Sequence, residues 1–118
     1  MNFLVIDGTQ DKIVFFSTFN NNSYHKTIKA SKNNNEKFSM ELFKFFDENS
    51  IKPSKLNNIF VNQGPGKFSL IRTSISVAKA LSISNGSNLY GFNSKEIKNM
   101  NYNNIINLYK KGDLKKNL

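Results

Sequence analysis

The chain has 118 residues, a length typical of one domain, and a formal net charge of +9. It contains no cysteine and a single histidine, His25, which excludes disulfides, thiolate metal sites and zinc sites built on several histidines. Asp7 interrupts the apolar N-terminal run, and no later run approaches the roughly 18 apolar residues that span a bilayer. We therefore expect a cytoplasmic protein that has no membrane contact.

The positive charge favours nucleic acid or an acidic protein as a partner, through long-range attraction. Arg72, however, is the only arginine among the 17 basic residues. Arginine is the side chain that grips phosphate bidentately, so its near absence weakens the case for a nucleic-acid interface. The favoured interpretation is a solvated, lysine-rich surface, and a nucleic-acid surface remains the alternative.

Three strands are predicted in the first part of the chain, over residues 2–7, 12–19 and 23–30. The first is apolar and ends in a turn that begins at Asp7, which indicates a hairpin with the second. The third alternates apolar and polar residues with a period of two, as expected of a half-covered strand. The pattern predicts a meander.

A first helix is predicted from about residue 36 to residue 49. Its apolar residues on one face are Phe38, Leu42, Phe45 and Phe46. Met40 and Phe43 fall off that face. The helix therefore has more apolar surface than one face can bury.

Residues 59–61 read as a short buried strand, followed by a Gly64-Pro65-Gly66 corner and a second helix over residues 68–84 that stops at Asn85-Gly86. This helix has two apolar stripes, Ile71, Ile75 and Ala78 on one and Leu70, Val77 and Leu81 on the other. Either both stripes are buried inside the domain, or one faces a partner. The second outcome, slightly favoured, would join Met40 and Phe43 into an apolar docking patch.

The rest of the chain predicts a strand over residues 88–92 and a short helix capped by Ser94. Residues 101–118 are rich in asparagine and lysine, which suggests a weak strand or a frayed tail. The order βββαβαβ, with a possible last helix, predicts an α/β fold with a mixed sheet and helices packed on it.

The polar motifs are ambiguous when they are taken alone. Asp7 could orient a metal-bound nucleotide, but a cap on the Gly8-Thr9 turn is the safer interpretation. The Gly64-Pro65-Gly66 corner could contact a phosphate or could simply turn the chain, and the surrounding residues do not fit a Walker-type loop. His25 is interpreted as a surface histidine.

Three segments resemble the TsaB (YeaZ) family. Residues 60–72, which read FVNQGPGKFSLIR, are similar to its glycine-rich GPG loop and the start of the following helix. Residues 77–81 and 89–94 are similar to the end of that helix and to the next strand, and Ile6-Asp7-Gly8-Thr9 to the family's opening. The resemblance covers about residues 1–100, and it implies a single actin-like, RNase H-like half-domain. Residues 101–118 would then replace the usual second half.

The resemblance also implies a non-catalytic role in making threonylcarbamoyladenosine in tRNA. Proteins of this family pair through their first two helices with a TsaD-like transferase, and a TsaE-like ATPase joins them. On this chain the implied interface residues are Phe38, Met40, Leu42, Phe43, Ile71, Arg72, Ile75 and Val77. A homodimer is a further possibility, and tRNA would be reached through the complex.

No cofactor is expected on this chain alone, and ATP or ADP is expected only at an interface within the complex. The candidate residues for a nucleotide or phosphate loop are Asp7, Gly64, Pro65 and Gly66. Two rival hypotheses stay open. One is a small basic module that binds tRNA directly, and the other is a nucleotide-using enzyme whose site joins Asp7 to the Gly64-Pro65-Gly66 corner.

Overall fold

A six-stranded mixed sheet runs through the protein, in a computed structural model that describes residues 1–29, 34–66, 68–97 and 101–118. The strands are β1 (Phe3–Asp7), β2 (Lys12–Phe19), β3 (Asn22–Lys29), β4 (Asn58–Asn62), β5 (Asn88–Phe92) and β6 (Lys115–Lys116). The helices are α1 (Asn34–Glu48), α2 (Phe68–Asn85) and α3 (Asn104–Lys111), with 3₁₀ turns at Pro53–Lys55 and Ser94–Glu96.

The strands lie in the order β3, β2, β1, β4, β5, β6. β1 pairs with β4 in parallel, and so does β4 with β5, whereas β2, β3 and β6 pair antiparallel with their neighbours. Because β1, β4 and β5 point the same way, their carboxyl ends meet at one edge of the sheet, where the following loops converge. The predicted mixed sheet with helices is confirmed.

The β2–β3 hairpin closes through Asn20 and Asn21, whose φ angles are 51° and 67°. Two successive left-handed residues give the tight turn that matches the twist of an antiparallel pair, and asparagine tolerates this conformation better than most residues. The turn fixes the register in which Phe19 lies opposite Asn22 and Ile13 opposite Ile28.

α1 and α2 cover one face of the sheet. The buried side chains of this layer are Leu4, Ile6, Phe15, Ile59 and Val61 from the sheet, Phe38, Leu42, Phe45 and Phe46 from α1, and Leu70, Ala78 and Leu81 from α2. The rings of Phe15 and Phe38 pack edge to face with centroids 5.5 Å apart, a favoured aromatic geometry. Burial of each large apolar side chain contributes about 1.5 to 3 kcal/mol.

α3 and the residues around it cover the other face. The side chains buried there are Phe3, Val5, Phe60, Phe92, Ile97, Tyr102, Ile105 and Leu114. β1 serves both layers, since Phe3 and Val5 face α3 while Leu4 and Ile6 face α1 and α2. This double burial explains why β1 is apolar throughout rather than alternating.

The segment 101–118 differs from the predicted weak strand or frayed tail. It forms α3, which ends at Gly112 in the left-handed conformation (φ 75°), and then the two-residue strand β6 against β5. Packing against the sheet supplies the stability that the local sequence lacks, because Tyr102, Ile105 and Leu114 are buried.

Other differences are small. The cap of the turn at Ser94–Glu96 is Asn93 and not Ser94, since the Asn93 side chain accepts a hydrogen bond from the backbone N–H of Lys95. α2 ends as predicted at Asn85-Gly86, where Gly86 has φ 72°. Residue 30, the predicted end of the third strand, lies outside the described residues.

Candidate functional site

A cluster of polar side chains, which we call the polar hub, lies at the carboxyl edge of the parallel strands. Its members are Asp7, Thr9, Asn62, Ser94 and Tyr102. Asp7 ends β1, Asn62 ends β4 and Ser94 follows β5. The parallel pairing of these strands therefore brings together three segments that are distant in sequence.

The Asp7 carboxylate is the centre of the hub and is only 1% exposed. Its Oδ1 accepts hydrogen bonds from the backbone N–H of Thr9 at 2.9 Å and from the Thr9 hydroxyl at 2.6 Å. Its Oδ2 accepts from Asn62 Nδ2 at 3.1 Å and from the Tyr102 hydroxyl at 2.7 Å. The predicted cap on the Gly8-Thr9 turn is confirmed. A buried carboxylate is tolerated here because four donors satisfy it.

Asn62 links the hub to the glycine-rich corner. Its Nδ2 also approaches Ser94 Oγ at 3.1 Å, and its Oδ1 accepts from the backbone N–H of Gly64 at 2.9 Å. The backbone N–H of Ser94 in turn donates to the carbonyl of Gly64 at 3.0 Å. Both backbone polar groups of Gly64 are therefore hydrogen-bonded, the N–H to Asn62 and the carbonyl to Ser94.

The corner packs tightly against the turn after β1. A β carbon on Gly66 would lie 2.6 Å from the Thr9 carbonyl oxygen and 2.8 Å from Thr9 Cα. A β carbon on Gly8 would lie 2.7 Å from Ser74 Oγ on α2. Gly66 leaves no space for a β carbon because its backbone lies against the backbone of Thr9. Gly8 leaves none because it lies against the Ser74 side chain and the Leu70 carbonyl of α2. The structure therefore brings Asp7, Gly64, Pro65 and Gly66 together, as the nucleotide-loop hypothesis requires.

The hub's own hydrogen bonds argue against an open ligand site. Every oxygen of Asp7 is already engaged by groups of this chain. Burial raises the pKa of the Tyr102 hydroxyl above its ordinary value, and the nearby Asp7 charge and hydrogen bond act in the same direction. Tyr102 therefore stays protonated as a donor. Within the described ranges, no group of three or more His, Cys, Asp or Glu could hold a metal ion.

A second candidate feature is a groove between α1 and α2 on the outer surface. It has a volume of about 340 Å³, with Leu42 and Leu81 at its base. Its remaining lining residues are Ser39 and Phe43 from α1 and Ser76, Val77, Ala80 and Ser84 from α2. A neighbouring depression shares Ser76 and Val77 with the groove and extends it toward Arg72. The guanidinium of Arg72 lies 5.3 Å from the centre of the exposed Phe68 ring.

The predicted interface residues divide into two groups. Met40 and Phe43 are 50% and 52% exposed, Arg72 is exposed, and Ile75 and Val77 are half-buried. Phe38, Leu42 and Ile71 are buried within this domain, and of the three Leu42 lines the base of the groove. α2 buries a wider face than one stripe. Its buried residues come from both predicted stripes and are Leu70, Ile71, Ser74, Ala78 and Leu81.

The exposed face of α2 along the groove consists of small residues. Ser69, Thr73, Ser76, Ala80 and Ser84 recur every three or four positions. This spacing places them on one side of a helix, where another helix backbone could approach closely. Apolar periodicity does not reveal this face, because its residues are small and mostly polar.

Residues 13–104 match the sequence model of the family described as TsaD: tRNA N6-adenosine threonylcarbamoyltransferase. The chain belongs to the TsaD family. No curated protein matches it. The matched range includes β4, α2 and β5, and with them Asn62, the glycine-rich corner and Ser94 of the polar hub.

Several solved structures share the fold of this TsaD-family chain. YeaZ from Pseudomonas aeruginosa matches with a TM-score of 0.72 and 15% identity, covering 78% of this chain and 43% of that one. A structure described as an uncharacterized protein with similarity to peptidase YeaZ from Pseudomonas aeruginosa gives the same values. RuvC from T. thermophilus, in complex with a Holliday junction substrate, matches with a TM-score of 0.64 and 7% identity over 98% of this chain and 99% of that one.

These matches confirm the predicted actin-like, RNase H-like half-domain and the resemblance to YeaZ at the level of the fold. This TsaD-family chain spans less than half the length of the two YeaZ-like structures. In the part of the chain that the structure describes, no helix is long and apolar enough to cross a membrane.

Proposed function

We propose that this chain is a non-catalytic subunit that pairs with a TsaD-like transferase in the threonylcarbamoylation of tRNA. Family membership supports the pathway, since the matching model describes a tRNA threonylcarbamoyltransferase. The non-catalytic part of the proposal rests on the hub, whose central carboxylate is engaged by the chain's own donors.

The observation that carries the proposal is the groove between α1 and α2. Phe43 stands at its rim with half of its side chain exposed, and its ring packs edge to face on buried Phe46 at 5.8 Å. An aromatic side chain that is anchored on the core and still exposed is the type of residue that dominates binding energy at interfaces. Ala80 and Ser76, opposite it, leave room for a partner helix.

The remaining members of the assembly are part of the same proposal. A TsaE-like ATPase would join the pair, and tRNA would be bound by the complex as a whole. ATP or ADP would be held at an interface between subunits rather than by this chain alone. Association of two copies of this chain through the same groove is the alternative to the mixed pair.

Gel filtration of this chain with and without the TsaD-like subunit tests the proposal, followed by calorimetry at micromolar concentrations. We expect a mixed complex for the native chain. Ala80→Arg would fill the groove with a long charged side chain and weaken binding by about thirtyfold or more, which corresponds to about 2 kcal/mol of binding free energy.

Ile83→Arg provides the matched control. Ile83 is 85% exposed and lies on α2, but it does not line the groove. The same apolar-to-charged change at this position should leave binding unaltered. No complex with the native chain at micromolar concentrations, or equal losses in both variants, would reject the groove as the docking face.

A further inference from the structure

Four exposed lysines lie at the edge of the sheet where α3 leads into β6. We call this group the basic edge, and it consists of Lys110, Lys111, Lys115 and Lys116. The two pairs are separated by the tight turn at Gly112, in which the backbone N–H of Asp113 donates to the carbonyl of Leu108 at 3.0 Å. The turn brings the end of the helix and the strand close together.

Within the described part of the chain, no salt bridge neutralises the charge of the basic edge. Across the described ranges, salt bridges join Lys26 to Glu41 and Glu48, and Lys44 to Glu41, and none of them includes a lysine of the basic edge. Asp113 is the single acidic residue in the segment 101–118. Lys110 and Lys111 complement the dipole at the end of α3, but Lys115 and Lys116 have no such role.

Two half-buried tyrosines lie beside these lysines. Tyr109 precedes Lys110, and Tyr90 is the cross-strand partner of Lys116, so that the side chains of Tyr90 and Lys116 stand on the same face of the sheet. The two rings pack edge to face with centroids 5.3 Å apart. Lysines interleaved with partly exposed aromatic rings suit a nucleic-acid backbone and its bases better than they suit a lipid surface.

Three of the four lysines lie on the side of the sheet opposite the groove, namely Lys110 and Lys111 at the end of α3 and Lys116, which shares a face with Tyr90. Lys115 pairs with Gly91 and points to the other face. α3 packs in the layer of Phe3, Phe60 and Phe92, whereas α1 and α2 pack in the layer on the other face. α1 carries acidic side chains, among them Glu41 and Glu48, which bind Lys26 of β3. A protein on the groove and a polyanion held by Lys110, Lys111 and Lys116 would therefore contact different faces of the sheet.

We infer that the basic edge binds the phosphate backbone of RNA directly, without regard to base sequence. Lysine supplies point charges rather than the bidentate grip of arginine, which fits backbone contact rather than base recognition. The proposed function enters this inference at one point, because it is the reason for choosing tRNA as the RNA to be tested.

The test is fluorescence anisotropy of a labelled tRNA transcript titrated with the full chain over a series of salt concentrations. We compare the native chain with a variant that carries Lys→Gln at all four positions of the basic edge. The native chain should bind with an affinity that falls steeply with salt. The variant should bind about tenfold or more weakly, with a salt slope smaller by about 0.7 to 0.9 for each phosphate that is no longer neutralised.

The matched control carries Lys→Gln at four exposed lysines elsewhere, Lys37, Lys44, Lys52 and Lys55. It removes the same number of charges, so binding close to that of the native chain supports the basic edge as the site. Equal losses of tRNA affinity in the two variants would show that only the net charge of the chain matters, and would overturn the inference. Binding to anionic vesicles but not to tRNA would also overturn it.

Pairing with the TsaD-like subunit is measured on the same basic-edge variant. Retained pairing with lost tRNA affinity supports the inference. Failure of the native chain to pair rejects the proposed function while leaving the RNA result standing on its own. Retained tRNA affinity in the basic-edge variant rejects the inference and leaves the proposed function intact.

Discussion

The hydroxyl of Tyr102 donates a hydrogen bond of 2.7 Å to the carboxylate of Asp7, a residue 95 positions earlier in the chain. The contact fastens the segment before α3 to the end of β1, and through Asn62 to the corner that begins α2. The polar hub is therefore a structural junction between the two sides of the sheet.

Replacement of Tyr102 by Phe tests how much this contact stabilises the protein. The substitution Tyr102→Phe keeps the buried ring and removes only the hydroxyl, so Asp7 loses one of its four donors. We expect the free energy of unfolding to fall by about 1.5 to 3 kcal/mol, the typical worth of a hydrogen bond to a charged group. Denaturant unfolding measures this change.

Tyr24→Phe is the control for that experiment. Tyr24 is a half-buried tyrosine on β3 that packs against the core, and among the described residues its hydroxyl has no hydrogen-bond partner. This substitution should change the free energy of unfolding by less than about 0.5 kcal/mol. Equal losses for both variants would show that the Asp7 contact contributes nothing specific.

The same contact predicts a dependence of stability on alkaline pH. The pKa of Tyr102 is raised in the folded state from its ordinary value of 10.0, by burial first and then by Asp7. Above pH 10 the unfolded chain releases this proton and the folded chain keeps it, so stability falls as the pH rises, by up to about 1.4 kcal/mol per pH unit. The native chain should lose stability between pH 10 and 11 more steeply than Tyr102→Phe. Parallel profiles would contradict this assignment.

Nucleotide binding provides a third prediction. Because the chain's own donors engage both oxygens of Asp7, we expect the isolated chain to show no binding of ATP with Mg²⁺ at concentrations of about 1 mM. Calorimetry measures it. Binding by the native chain that disappears in Asp7→Asn would instead establish the hub as a nucleotide site and revive the enzyme hypothesis.

Gly66→Ala tests the close packing of the corner. Its β carbon would meet the backbone of Thr9 at 2.6 Å and 2.8 Å, so the corner or the turn must move. We expect a loss of about 1 to 3 kcal/mol in the free energy of unfolding, the usual cost of overpacking.

Gly91→Ala is the comparison for Gly66→Ala. Its β carbon would meet the ends of the Gln63 and Leu118 side chains, which can rotate away, whereas backbone cannot. The loss should therefore be smaller than for Gly66→Ala. The reverse order of the two losses would argue that the corner is loosely held.

The sequence was sufficient for elements that depend on local pattern. β2 and β5 have the predicted bounds, because turn residues and apolar runs delimit them. The carboxylate of Asp7 was predicted as a turn cap for the same reason, since its partner Thr9 is two residues away. These features need no knowledge of distant packing.

Features that depend on tertiary contacts were missed. α3 has only a few apolar residues in a polar segment, and it is helical because Ile105 is buried and Tyr109 packs on Phe60 with ring centroids 5.9 Å apart. Tyr102 could not be assigned to the hub, because no local sequence pattern indicates a contact between residues 95 positions apart.

The outermost strand, β3, has an exposed hydrogen-bonding edge, and it does not continue the apolar character of β1. Asn22, Ser23, His25, Thr27 and Lys29 are all exposed on it. A polar, lysine-bearing border disfavours the addition of further strands from neighbouring molecules, the step that starts fibril growth. The domain can therefore be concentrated for biophysical work with little risk of ordered aggregation along this border.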